Sequence, residues 1–139
     1  MLHEAYLQHL QSYFLSSYKD RQFWNTLQTY SKELTIVSNL NLDPAGELLE
    51  NLYSPVKRSL PRPPIDMLRS LLLMTLLKIS SITTWVRETR STALFPIFAG
   101  FSPDDTPGIG TYYDFLKRLV DGPYLKPCPQ CYRALQLPQ

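Results

Sequence analysis

Residues 62–79 read RPPIDMLRSLLLMTLLKI, and this stretch decides the fold. Met67, Leu68, Leu71, Leu72, Leu73, Met74, Leu76 and Leu77 fall on nearly every side of a helix axis. A helix apolar on most sides is a central core helix rather than a surface one. Asp66 stands where a capping carboxylate would hold the first free amides, and the Ser80-Ser81 pair predicts a stop near Ile79. Arg69, Ser70, Thr75 and Lys78 interrupt the apolar run, which is also shorter than the roughly 20 residues a bilayer crossing needs. No membrane partner is therefore expected. The opening Met1-Leu2-His3-Glu4 has no basic segment before an apolar one, so a cytoplasmic location is expected.

Working downstream, Ser81 can cap a helix that turns Ile82, Trp85, Val86 and Thr89 one way and Arg87, Glu88 and Arg90 the other. Residues 93–98 form a short apolar helix or turn, with Pro96 near its start, and 100–110 a loop dense in Pro, Gly and Asp. Thr111 and Asp114 have capping-box spacing, with Asp in place of the usual Glu or Gln. Tyr112, Phe115, Leu116 and Leu119 then recur at i, i+3, i+4 and i+7 as one buried stripe. Tyr113, Asp114, Lys117 and Arg118 are left on the outer face.

Working upstream, residues 4–18 read as a helix bearing Tyr6, Leu7, Leu10, Phe14 and Leu15 at helical spacing. Asp20 can cap a second helix carrying Phe23, Leu27, Tyr30, Leu34 and Val37. The two predict an antiparallel pair with a buried aromatic stripe. Residues 39–44 resist regular structure, and 46–53 suit a short helix. Residues 54–64 hold four prolines with Lys57, Arg58 and Arg62 among them, a stiff extended linker. No persuasive strand occurs. The expected fold is all-α: a helical hairpin arm over 1–53, a basic linker over 54–64, a compact helix-turn-helix-like domain over 65–120, and a Pro-rich tail over 121–139.

Apolar residues make up 44% and charged residues 19% of the 139-residue chain, which marks it as globular rather than disordered. Residues 1–52 carry three Lys or Arg against six Asp or Glu, whereas residues 53–139 carry eleven against six. A basic C-terminal portion suits a phosphate-facing surface. A helix-turn-helix reader needs an apolar inner face and a cationic or hydrogen-bonding outer face on the helix that enters the groove. Tyr113, Lys117 and Arg118 are the candidate contacts on the last helix, Arg87 and Arg90 on the one before, and Lys57, Arg58 and Arg62 candidate backbone clamps. Ordinary solvation is the competing reading of each.

Other chemistry finds less footing. Cys128 and Cys131 make a lone Cys-x-x-Cys, half of a tetrahedral zinc site, and His3 and His9 lack zinc spacing. Neither a complete metal site nor a cofactor is expected. Gly108-Ile109-Gly110 has no preceding strand to make it a nucleotide fingerprint, and neither a Gly-x-Ser-x-Gly nor a His-Glu-x-x-His motif occurs.

The run from Arg62 through Asp66, the leucines Leu71 to Leu73 and the segment Ser80 to Arg87 resembles the opening of a family of bacterial insertion-sequence (DDE-type) transposases. The stretch Asp104 to Leu119 is similar to the Pro/Gly loop and Thr-capped helix those enzymes place before their nuclease domain. Ile65 and Met67 depart from the aromatic and proline residues common at those positions. The resemblance implies recognition of terminal inverted repeats in duplex DNA during transposition. It also implies that the catalytic carboxylates lie downstream of this region, so the chain is expected to be a truncated or frameshifted, non-catalytic head. Two alternatives stand beside DNA binding: a module that oligomerises with itself or with a full-length transposase, inhibiting it, and a remnant of a decayed gene.

Overall fold

A computed structural model describes residues 1–50 and 62–121. These form eight helices: α1 (His3–Ser17), α2 (Arg21–Thr29), α3 (Ser31–Asn39), α4 (Asp43–Glu50), α5 (Pro64–Leu76), α6 (Ile82–Ser91), α7 (Leu94–Ala99) and α8 (Ile109–Asp121). The fold is all-α. Among the described residues the sole β pairing is an isolated Ser102–Asp105 bridge inside the loop before α8.

α5 is the central element, packed against α3, α4, α7 and α8. Its inner face, however, is not the leucine belt that composition suggests. Leu68, Leu71 and Leu72 are half-buried, while Asp66, Arg69 and Ser70 are among its most deeply buried residues. Asp66 is not the cap. The helix begins at Pro64, whose missing N–H costs nothing in the first turn. The Asp66 carboxylate instead accepts from Arg69 Nη1 at 2.9 Å and from the Met1 ammonium at 2.8 Å. The Arg69 guanidinium also lies 3.8 Å from the centre of the Tyr6 ring and donates to the Met1 carbonyl at 3.3 Å. Burial lowers the Arg69 pKa below its ordinary value, and the adjacent Asp66 offsets that effect only in part. A cation is tolerable at this depth because a carboxylate, a carbonyl and a ring face surround it.

α5 stops at Leu76, three residues before Ile79. Lys78 adopts a left-handed conformation (φ 61°), and Ile79 N–H returns to the Met74 carbonyl at 3.1 Å, closing the helix before the serines are reached. α7 ends in the same way on Gly100 (φ 99°), with Phe101 N–H bonded to the Pro96 carbonyl at 2.9 Å. Gly100 has a second reason to lack a side chain: a Cβ there would sit 2.8 Å from Asp66 Oδ1.

The N-terminal helices share this core. Tyr6 and Leu10 of α1, Phe23 of α2 and Leu34 and Val37 of α3 are buried in one cluster with Trp85, Phe98, Tyr112 and Phe115. Asp20 caps α2 as expected, accepting from Gln22 and Phe23 amides at 3.0 and 3.4 Å. The expected long second helix is divided at Tyr30 (φ −112°, ψ 24°), which lets α3 turn onto α5 while the Tyr30 ring meets Phe95 edge-on. α1 packs chiefly on α7 rather than along a single antiparallel partner. Tyr6 donates to the Phe98 carbonyl at 2.6 Å, and His9 Nε2 donates to the Ile97 carbonyl at 2.9 Å. Leu7 and Leu15, expected in the core, are 44% and 69% exposed, because the buried face of α1 is centred on Tyr6 and Leu10. The expected 39–44 loop shortens to 40–42, since α4 starts at Asp43, whose carboxylate also caps α1 from outside by accepting the His3 amide at 2.7 Å. The expected boundary at 54–64 lies mostly outside the described residues.

Candidate nucleic-acid interface

Two helices present the outward cationic residues. Ser81 caps α6 by accepting from Thr84 N–H at 3.4 Å, so the helix register follows expectation. Ile82, Trp85, Val86 and Thr89 are buried, and Arg87 and Arg90 are exposed on the opposite side. The start of α8 lies against that side. Thr83, Arg87, Arg90, Ser91 and Ile109 line one shallow groove between the helices, over Val86. The Arg90 guanidinium approaches Gly108 closely enough that a Cβ there would be 4.0 Å from Nη2. No carboxylate among the described residues pairs with Arg87 or Arg90.

α8 confirms the expected stripe but not the expected cap. The helix begins at Ile109, so Thr111 lies inside it and Asp114 cannot reach back as a capping-box acid. Tyr112 and Phe115 are fully buried and Leu116 and Leu119 half-buried. Ile109, Tyr113 and Lys117 follow one another at i, i+4 and i+8 on the exposed side, with Tyr113 54% exposed. Asp114 is exposed and accepts from Arg118 Nε at 2.9 Å.

The six expected DNA contacts therefore separate. Arg87 and Arg90 are brought together beside the first turn of α8, where the positive end of its dipole lies. Tyr113 and Lys117 extend the surface along α8. Arg118 is half-buried and engaged by Asp114. Arg62 is half-buried and engaged at the surface by the chain itself: Nη1 donates to the Asp105 carbonyl at 3.0 Å, Nη2 to Asp105 Oδ1 at 2.7 Å, and its guanidinium lies 5.6 Å from the Phe101 ring centre. It fastens the loop that leads into α8. Lys57, Arg58, Cys128 and Cys131 lie outside the described residues.

Residues 62–121 hold seven Lys or Arg and six Asp or Glu, so nearly all of the basic excess belongs to residues 53–61 and 122–139. Within the described interface, placement rather than net charge makes the positive surface.

Sequence reading missed the buried bonds that hold α8. Ser70 Oγ accepts from Trp85 Nε1 at 3.0 Å and shares a 2.6 Å hydrogen bond with the Tyr112 hydroxyl. A hydroxyl within an otherwise leucine-rich helix was the available signal. Asp66 and Arg69, at i and i+3, carried another, because that spacing puts opposite charges within reach on one helix face.

Comparison of the chain with protein-family models, characterised proteins and solved structures finds no match. No helix among the described residues is long and apolar enough to cross a membrane.

Proposed function

We propose that the chain binds duplex DNA through the outer face of α6 and α8, as the end-recognising, non-catalytic part of an insertion-sequence transposase acting in the cytoplasm. The observation that carries this reading is the pairing pattern of the arginines. Arg62, Arg69 and Arg118 are engaged by Asp105, Asp66 and Asp114, whereas exposed Arg21, Arg87 and Arg90 have no described carboxylate beside them, and of these Arg87 and Arg90 converge on one groove. Two guanidiniums on one helix face suit adjacent phosphates, and the Tyr113–Lys117 stripe is the surface that would meet base edges. The transposase resemblance supplies the identity of the DNA, a terminal inverted repeat.

The test is fluorescence anisotropy with a labelled inverted-repeat duplex and a scrambled control. Affinity should fall steeply with salt and favour the repeat. Absence of binding at low salt by the folded chain would defeat the proposal.

One observation favours oligomerisation as a second reading. An apolar groove between α1 and the α2–α3 pair is lined by Leu7, Leu10, Phe14, Leu27, Leu34 and Phe98, and Leu15 and Trp24 are exposed on the same helices. Sedimentation analysis that finds only monomer, alone and with an intact transposase, would remove it.

A further inference from the structure

Three helices meet at Ser70. Its hydroxyl, on α5, receives the indole N–H of Trp85 from α6 and bonds the phenol of Tyr112 from α8, and all three side chains are fully buried. The indole can only donate, and a serine oxygen can accept it while its own proton or lone pair serves the phenol. Burial pushes the Tyr112 phenol above its ordinary value, so it remains protonated and able to donate.

Besides this bond, α8 is held inward by the Tyr112 ring itself and by Phe115, Leu116 and Leu119. The buried stripe fixes which side of α8 faces the core but tolerates small rotations about its axis, because apolar contacts are non-directional; a directional hydrogen bond does not. Successive helical residues are about 100° apart, so a bond that holds Tyr112 inward also sets where Tyr113 and Lys117 face. Because Trp85 belongs to α6, the same oxygen references α8 to the helix that carries Arg87 and Arg90.

We infer that Ser70 is a positioning residue: through Tyr112 and Trp85 it aligns α8 with α6, so that the Tyr113–Lys117 stripe and the Arg87/Arg90 pair form one surface. The functional consequence rests on the DNA-binding reading; the alignment itself does not.

The experiment uses the full chain, Tyr112→Phe and Ser70→Ala, with Phe115→Leu as a variant that weakens α8 packing without touching a hydrogen bond. Amide exchange of α8 is compared with that of α5 and α6. In parallel, affinity is measured for a duplex enriched by the wild type from a random library, relative to the unselected pool. Tyr112→Phe should unfold cooperatively, exchange its α8 amides faster while α5 is unchanged, and shift the Trp85 indole N–H resonance. It should also lose about tenfold in discrimination, the loss of roughly one base contact, with its salt dependence unaltered. Ser70→Ala should do the same, and Phe115→Leu should keep its discrimination. If Tyr112→Phe keeps wild-type α8 exchange and discrimination, the inference is overturned. If the wild type enriches no sequence, the DNA reading fails instead, and α8 exchange alone decides the alignment.

Discussion

Arg69 and Arg90 are the same residue type on neighbouring helices, and the fold uses them in opposite ways. Arg69 is wholly buried, ion-paired to Asp66, stacked on Tyr6 and bonded to the chain's first carbonyl. Arg90 is exposed in a groove with Arg87 and has no described carboxylate partner. The contrast teaches that a cation's role follows from its anionic neighbours rather than from its presence. The polar layer under α5 joins the N-terminal helices to the centre of the protein, whereas Arg87 and Arg90 have no described carboxylate beside them.

The buried cation is the costlier one to disturb. Asp66→Ala would leave Arg69 without its counter-charge and should destabilise the fold by about 3–5 kcal/mol in urea or guanidinium unfolding. Loss below about 1 kcal/mol would mean that water already reaches the guanidinium. Gly100→Ala should follow at about 2 kcal/mol, since it forces a Cβ into a left-handed conformation and toward Asp66 Oδ1; a neutral result would show that the α7 terminus can shift.

Acid acts on the buried side as well. His9 lies against the same layer, and burial first of all lowers its pKa below the ordinary value, while its bond to the Ile97 carbonyl opposes that shift. The unfolded chain therefore binds this proton more readily than the folded one. Stability should be at its full value above about pH 6.5 and decline as pH falls from there through the lower folded pKa. His9→Gln should flatten that decline; an unchanged slope between pH 5 and 7 would remove His9 as its source. The smallest effect concerns the end of α5. Lys78→Gly should stabilise by up to about 1 kcal/mol, because glycine takes the left-handed conformation without the Cβ penalty, and a lower unfolding midpoint would contradict that assignment.

Much of this layout was legible from hydrophobic period and capping residues. Asp20 and Ser81 cap where expected, Arg87 and Arg90 face outward from α6, and Tyr112 and Phe115 face inward from α8. What was not legible depends on contacts distant in sequence. Asp66 resembles a cap until the Met1 ammonium, 65 residues away, is seen to bind it. Arg62 resembles a phosphate clamp until Asp105 comes within 2.7 Å of it. The break at Tyr30 serves the packing of Phe95, far along the chain, and leaves no local signal. Periodicity reports which side of a helix is buried; it does not report which polar groups the other helices bring there.

The salt dependence of duplex affinity, measured for two paired variants, separates the two kinds of cation most directly. Arg87→Ala/Arg90→Ala should leave unfolding stability within about 0.5 kcal/mol of wild type, because both residues are exposed. It should reduce the slope of log affinity against log salt by about 2, one for each lost phosphate contact. Lys19→Ala/Lys78→Ala removes the same charge from exposed positions outside that groove, the α1–α2 turn and the end of α5, and its slope should stay near the wild-type value. Equal slopes for the two pairs, or a larger change for the second, would contradict the assignment of the α6–α8 face as the DNA-binding surface.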